Sequence, residues 1–137
     1  MSRFLLDTGP AQKFVSKDPV VTRIAKERRM RGDVIGICIP VLGELWSGVE
    51  GSNSRDLNAQ RLLNQLSRLV LWPYDKPAAA EFGRIFTLLK KMGRPMQQVD
   101  IQIAAIAMTL GSCTVVTTDS DLSAVPGLSV ESWQDMP

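Results

Sequence analysis

The chain has 137 residues, of which 45% are hydrophobic and 22% are charged, and we expect one globular domain over residues 1–137. No apolar run approaches the roughly 18 residues that span a membrane, and the first residues lack a signal peptide, so we expect a cytoplasmic protein. The absence of histidine excludes the commonest general base and the commonest zinc ligand. Any catalysis must therefore use carboxylates, hydroxyls, Lys, Arg or a bound ion.

The net charge of +2 is distributed unevenly, and the densest basic run is KERRMR at residues 26–31. Such a run can hold phosphate groups by charge. It can equally form a solvated helix face, or a face that meets an acidic protein partner. The sequence leaves these alternatives open.

Apolar runs and helix breakers alternate along the first half of the chain, which predicts alternating strands and helices. The tripeptide Thr8-Gly9-Pro10 breaks the first apolar run, and Pro10 suits the first turn of a helix. The predicted elements of this half are a strand at residues 3–6, a helix from Pro10, a helix from Pro19 that stops at Gly32, a strand at residues 34–39, a helix from Pro40, and a helix at residues 57–66.

The same alternation continues through the second half, and it predicts a parallel sheet covered on both faces. The predicted elements here are a strand at residues 69–72, a helix capped by Asp75 and ended by Gly93, a helix at residues 99–110, a strand at residues 113–116, and a strand at residues 128–130. Residues 103–108 are apolar on all sides, which predicts a deeply buried helix. Cys38 and Cys113 lie inside apolar runs and are expected to be buried, reduced thiols.

Four acidic residues, Asp7, Glu44, Asp100 and Asp119, lie where predicted strands end or predicted helices begin. Ligands of open parallel sheets bind outside the carboxyl ends of the strands, so we expect the four acids near one edge. Clustered carboxylates repel one another, and oxygen ligands select hard cations such as Mg²⁺ or Mn²⁺. Such ions activate water and stabilise phosphoryl charge, which favours phosphodiester hydrolysis. Each acid taken alone could instead be a helix cap or a turn residue.

Several short phrases follow one another in a specific order. They are Leu5-Leu6-Asp7-Thr8, Glu44-Leu45-Trp46-Ser47-Gly48, Gly93-Arg94-Pro95, Asp100 to Ala105, Val116 to Leu122, and Val125 to Leu128 followed by Trp133. In this order the chain resembles the PIN-domain family, specifically the VapC-type toxin ribonucleases of toxin–antitoxin pairs. The chain departs from the family pattern at Gly9, at Gln97-Gln98-Val99 and at Leu122, and it keeps the four acids.

The resemblance implies a three-layer α/β/α sandwich with a central parallel sheet and one or two Mg²⁺ or Mn²⁺ ions. It also implies endonucleolytic cleavage of RNA that leaves a 3′-hydroxyl and a 5′-phosphate. By the same resemblance, Asp7 and Asp100 are the principal metal ligands. Glu44 and Asp119 complete the acidic pocket directly or through water molecules.

Further assignments by resemblance concern neighbouring residues and partners. Asp121 is an additional candidate metal ligand that could instead cap the following short helix. Thr8 and Thr117 orient carboxylates or water, or else serve only in turns and caps. The family forms homodimers and binds a cognate antitoxin, here expected in a groove formed by residues 10–31 and 40–66. Trp72 and Trp133 are expected in the core or at a dimer contact.

Two alternatives to a toxin ribonuclease remain open from the sequence. One is a PIN nuclease of RNA maturation or DNA repair, which the small size and the lack of appended domains disfavour. The other is a degenerate PIN domain that binds partners through its basic face without catalysis. Four intact acids disfavour this second alternative, because a site without catalysis has no reason to keep a repulsive cluster.

Overall fold

Five parallel strands form the central sheet of the computed structural model, which describes residues 1–134. The strands are β1 Arg3–Leu6, β2 Val34–Cys38, β3 Val70–Trp72, β4 Cys113–Val116 and β5 Ser129–Glu131. Their order across the sheet is β3-β2-β1-β4-β5, and every neighbouring pair is parallel. The predicted parallel sheet is therefore confirmed. The predicted domain of residues 1–137 includes residues 135–137, which lie outside the described residues.

Six α-helices connect the strands within residues 1–134, and none of them has the length and apolar character needed to span a membrane. They are α1 Thr8–Val15, α2 Pro19–Met30, α3 Ile39–Glu50, α4 Arg55–Leu66, α5 Lys76–Lys91 and α6 Gln98–Leu110, with a 3₁₀ helix at Ser120–Ala124. The predicted break at Thr8-Gly9-Pro10 is confirmed, since β1 ends at Leu6 and these residues form the first turn of α1. Asp7 caps the helix, which therefore begins at Thr8, two residues before Pro10.

Both faces of the sheet are buried, as expected for parallel strands covered by helices. The three consecutive residues Phe4, Leu5 and Leu6 are all buried, although alternate side chains of a strand point to opposite faces. Residues 103–107 of α6 are also buried, which confirms the predicted deeply buried helix. Trp72 and Trp133 are core residues.

The two cysteines are free thiols in the sheet region, as predicted. Cys38 is buried and Cys113 is half-buried. Burial raises the pKa of the Cys38 thiol to about 12 and that of the Cys113 thiol to about 11. Both thiols therefore stay protonated and weakly nucleophilic near neutral pH.

The strand order creates a switch point between β1 and β4. From β1 the chain builds β2 and β3 on one side, and it later adds β4 and β5 on the other. Ligands of doubly wound sheets bind in the crevice at such a point, outside the carboxyl ends of the strands. The backbone N–H of Asp7 donates to the carbonyl oxygen of Val116 at 2.9 Å, so the ends of β1 and β4 are joined. Residues that follow these two strands are thereby placed side by side.

Gly36 permits the close approach of β2 to β3. A β-carbon at this buried position would lie 2.4 Å from the carbonyl oxygen of Val70 and 2.8 Å from the Trp72 ring.

We expect Gly36→Ala to lower the free energy of unfolding by about 1–3 kcal/mol, as overpacking of a core position does. Urea denaturation measures the change. Gly48→Ala in α3 is the control, since nothing lies within 4 Å of its β-carbon and alanine favours helix. Equal stability of the two variants would contradict the prediction.

Candidate active site

Asp7 occupies the junction between β1 and α1, where two hydrogen bonds orient its carboxylate. Its Oδ1 accepts a hydrogen bond from the backbone N–H of Thr8 at 2.8 Å. Its Oδ2 accepts one from the hydroxyl of Thr117 at 2.8 Å. Burial raises the pKa of Asp7, the hydrogen bonds from Thr117 and Thr8 oppose that rise, and the charges of Glu44 and Asp119 add to it. The carboxylate is thus firmly oriented in an environment that disfavours its negative charge.

Thr117 follows β4 and links Asp7 to Asp119. The Thr117 side chain is buried, with 3% of the residue exposed. Its hydroxyl donates to Asp7 and also accepts the backbone N–H of Asp119 at 2.9 Å. The hydroxyl therefore uses its donor and an acceptor position in the same network. The predicted orienting role of Thr117 has a structural basis in these two bonds.

Asp119 caps the 3₁₀ helix after β4. Its Oδ1 accepts the backbone N–H of Asp121 at 2.9 Å. The sequence hypothesis that Asp121 could cap this helix is wrong, because the cap is the residue before the first helical position and that residue is Asp119. Both acids are exposed at the carboxyl edge of the sheet.

Glu44 reaches the same edge from the second turn of α3. The hydroxyl of Thr8 donates a hydrogen bond to Glu44 Oε1, and this bond joins the start of α1 to α3. Thr8 thus contacts both neighbouring acids, since its backbone N–H donates to Asp7. Glu44 is an exposed side chain, in contrast to the half-buried Asp7.

Asp100 lies in the first turn of α6 and completes the cluster. Burial and then the negative charges of Asp7, Asp119, Glu44 and Asp121 raise the pKa of Asp100 to about 6. The N-terminal end of a helix favours a negative charge at this position, but burial and the four neighbouring acids together outweigh that preference. Four carboxylates from three other parts of the chain are therefore close enough for their negative charges to act on Asp100.

The donor chemistry of this cluster suits a hard cation, although the carboxylates are spread out. Within residues 1–134, no three Asp, Glu or Cys side chains are arranged closely enough to hold an ion together. Charge repulsion acts over distances well beyond the roughly 2.0–2.6 Å of a metal–oxygen bond. The acids can therefore raise the pKa of Asp100 without lying close enough to hold one ion together. Mg²⁺ commonly takes one or two protein carboxylates and keeps several waters. Asp7 and Asp100 can supply those two ligands.

Two of the four basic residues at positions 26–31, Arg28 and Arg29, make contacts within the protein, whereas Lys26 and Arg31 are exposed. The Arg28 guanidinium donates to both carboxylate oxygens of Glu131, at 2.7 Å and 3.0 Å. The Arg29 guanidinium donates to the carbonyl oxygen of Arg68. The phosphate-binding alternative therefore does not suit Arg28 or Arg29. The Arg28–Glu131 pair could not be predicted from the sequence, because 103 residues separate its members.

Comparison with known proteins identifies the family. The model of the PIN domain matches residues 4–128. The tRNA(fMet)-specific endonuclease VapC of Shigella flexneri is 30% identical over 135 residues, which cover 97% of this chain and 99% of that protein. The chain belongs to the PIN-domain family, among the VapC ribonucleases. The predicted family and enzyme class are confirmed.

Solved structures of PIN-domain proteins confirm the fold. DNA-bound VapBC from Salmonella typhimurium has a TM-score of 0.87 and 29% identity, with coverage of 97% of this chain and 99% of that chain. VapBC-5 from Mycobacterium tuberculosis, a member of the VapBC family of toxin–antitoxin systems, has a TM-score of 0.67 and 28% identity, with coverage of 96% and 98%. These neighbours support an antitoxin as a partner of this PIN-domain chain.

Proposed function

We propose that this PIN-domain chain is an endoribonuclease toxin that cleaves RNA with Mg²⁺ or Mn²⁺ bound at its acidic edge. One observation carries the metal requirement. Five carboxylates, namely Asp7, Glu44, Asp100, Asp119 and Asp121, lie along the edge of the sheet that contains the switch point, and burial together with the charges of the other four raises the pKa of Asp100. A divalent cation offsets the repulsion between these charges, and oxygen donors select hard cations.

Asp7 and Asp100 would bind the ion directly, since they are the half-buried acids of the cluster. Glu44, Asp119 and Asp121 are exposed and would act through water molecules or assist directly. When bound, the ion activates water and stabilises negative charge on the phosphoryl group. Thr117 and Thr8 keep the carboxylates of Asp7 and Glu44 in fixed orientations through their hydrogen bonds.

The proposed reaction is hydrolysis of one phosphodiester bond. The oxygen of a water molecule forms a bond to phosphorus, and the bond between phosphorus and the 3′-oxygen breaks. The leaving oxygen takes up a proton and becomes a 3′-hydroxyl, while the phosphate stays on the 5′ end of the other fragment. With no histidine in the chain, the acidic cluster is the proposed site of proton transfer.

Transfer RNA is the proposed substrate class. The Shigella flexneri relative is named as specific for tRNA(fMet), and this chain aligns with 99% of its length. We therefore propose initiator tRNA as the substrate and the cytoplasm as the place of action. Side-by-side incubation with initiator and elongator tRNAs tests the choice, and equal cleavage of both would contradict it.

The antitoxin is proposed to bind the groove around α1, α2 and α4. Phe14, Lys17, Lys26, Met30 and Arg68 line part of this surface, which combines apolar contacts with positive charge. Met30 is 79% exposed, and an exposed large apolar side chain suits a surface that a partner protein covers. An acidic, amphipathic antitoxin segment fits this chemistry, and the toxin is proposed to be a homodimer. Light scattering of the protein, alone and after co-expression with a VapB-type antitoxin, tests both proposals. A monomer without a bound partner would contradict them.

Calorimetric titration with Mn²⁺ tests the metal requirement without depending on the substrate. We expect wild-type protein to bind Mn²⁺ and Asp7→Asn to bind it far more weakly. Asp56→Asn is the matched control, because Asp56 lies on α4 with a 97% exposed side chain and pairs only with Arg55 among the described contacts. Folded wild-type protein that binds no Mn²⁺ at millimolar concentration would favour the non-catalytic binding module.

A further inference from the structure

Arg28 of α2 clamps the end of the edge strand β5. Its guanidinium makes two hydrogen bonds with the carboxylate of Glu131, the last residue of that strand. The guanidinium carbon also lies 4.8 Å from the centre of the Phe4 ring and 5.8 Å from that of Trp133. The Trp133 indole N–H donates to Glu131 at 3.1 Å, so the same carboxylate is held from two sides.

Both side chains of the Arg28–Glu131 pair have low exposure, whereas each of the other ion pairs described within residues 1–134 has at least one exposed partner. The side chains of Arg28 and Glu131 are 13% and 25% exposed, whereas Arg31 in its pair with Asp33 is 62% exposed. Burial raises the pKa of Glu131, but the hydrogen bonds from Arg28 and Trp133 outweigh it and the net pKa is lowered. A bidentate pair with this geometry fixes orientation more tightly than a solvated pair.

A continuous path of hydrogen bonds leads from the clamp to the acidic cluster. The carbonyl oxygen of Glu131 accepts the backbone N–H of Thr117 at 3.0 Å. The hydroxyl of Thr117 then donates to Asp7 and accepts the backbone N–H of Asp119. Strand β5 has only three residues and pairs only with β4, so its end would fray without an anchor. Fraying there removes the partner of the Thr117 amide.

We propose that Arg28 is a positioning residue for the metal-binding carboxylates, acting through Glu131 and Thr117. This inference rests on the proposed metal-dependent function. Arg28 does not touch the site itself. It holds the main chain that aims the Thr117 hydroxyl, and small errors in the position of such groups cost much of the activity of a site.

Three variants test the inference. Arg28→Met keeps the aliphatic packing over Phe4 and removes the donors, while Arg28→Lys keeps the charge but not the two-pronged geometry. Arg31→Met is the matched control at the end of the same helix, because the Arg31 side chain is 62% exposed and its pair with Asp33 is not bidentate in the described contacts. The readouts are the Mn²⁺ dissociation constant, kcat and KM on RNA, and hydrogen exchange of the Thr117 amide.

For Arg28→Met we expect about tenfold weaker Mn²⁺ binding and a similar loss of kcat, with KM unchanged. A tenfold loss is the lower end of the range of about 10- to 100-fold for residues that orient metal ligands. The Thr117 amide should exchange faster, while amides of Ala104 and Ala105 in the buried helix α6 should not. Arg28→Lys should lie between Arg28→Met and wild type, and Arg31→Met should match wild type.

Faster exchange of the Thr117 amide in Arg28→Met, with unchanged Mn²⁺ affinity and kcat, would overturn the inference. Arg28 would then only stabilise the end of β5. A proportional rise in exchange at Ala104 would also overturn it, since the loss would be one of global stability. If Arg28→Met does not fold, Arg28→Lys provides the test. A folded Arg28→Lys protein with wild-type Mn²⁺ affinity would overturn the inference. Wild-type protein that binds no Mn²⁺ would overturn the proposed function and this inference together.

Discussion

Asp100→Asn is expected to lower kcat/KM for RNA cleavage by more than about 100-fold. Loss of a residue that merely orients a metal ligand costs about 10- to 100-fold, and a proposed direct ligand should cost more. Asn keeps the size of the side chain but carries no charge to hold a cation. Single-turnover cleavage of labelled tRNA measures the effect, with Asp56→Asn as a control on a solvent-exposed acid.

The same substitution is expected to stabilise the metal-free protein at alkaline pH. Because burial and neighbouring acids raise the pKa of Asp100 to about 6, the folded state favours the protonated carboxyl. That contribution is fully present below the ordinary pKa of 3.8 and is lost as the pH rises through about 6. The charge of Asp100 therefore destabilises wild-type protein above pH 6, and Asn removes this charge.

Thermal unfolding in a chelator at two pH values tests this expectation. Asp100→Asn should unfold at a higher temperature than wild type at about pH 8, and the gap should narrow at about pH 4. A lower unfolding temperature of the variant at about pH 8 would contradict the account, since Asp100 would then be a structural acid. Loss of activity together with gain in stability is the signature of a group kept for function.

Thr117→Val is expected to weaken Mn²⁺ binding and RNA cleavage by about 10- to 100-fold. Valine has nearly the shape of threonine but removes the donor to Asp7 and the acceptor for the Asp119 amide. Loss of these two hydrogen bonds also costs about 1–3 kcal/mol of stability. Calorimetry, cleavage assays and urea denaturation measure the three effects on the same protein.

The matched control is Thr114→Val in β4, the strand that Thr117 follows. The hydroxyl of Thr114 bonds to the hydroxyl of Ser129 at 2.9 Å in an exposed position, away from the acidic edge. We expect this variant to bind metal and cleave RNA like wild type. Similar losses in both valine variants would mean that β4 tolerates no such change, and the specific role of Thr117 would be rejected.

The gathering of the acids could be predicted because it depends on short-range signals. Asp7 and Asp119 each follow an apolar strand, and carboxyl ends of parallel strands meet at one edge. Asp100 begins a helix whose apolar character on all sides places it in the core. These features are visible within about ten residues of each acid, so the sequence contains them.

The supporting contacts could not be predicted because they depend on details of packing. The choice between Asp119 and Asp121 as a cap is decided by where the 3₁₀ turn begins, a difference of one or two residues. The pair of Arg28 with Glu131 requires the register of β5 against β4 and the seat of α2 on the sheet. A basic run in a helix looks the same in sequence whether it faces solvent, phosphate or a buried carboxylate.

Mapping of RNA ends in purified reactions tests whether this protein cleaves RNA by means of a divalent ion at its acidic edge. Initiator tRNA is incubated with wild-type protein or Asp7→Asn in Mg²⁺, in a chelator, and in a chelator followed by excess Mn²⁺. In Mg²⁺ we expect wild-type protein to produce discrete fragments with 5′-phosphate and 3′-hydroxyl ends. We expect no cleavage in the chelator, restored cleavage once Mn²⁺ is added in excess, and no cleavage by Asp7→Asn under any of these conditions. Cleavage by wild-type protein that persists in the chelator, or that Asp7→Asn retains, would contradict this expectation.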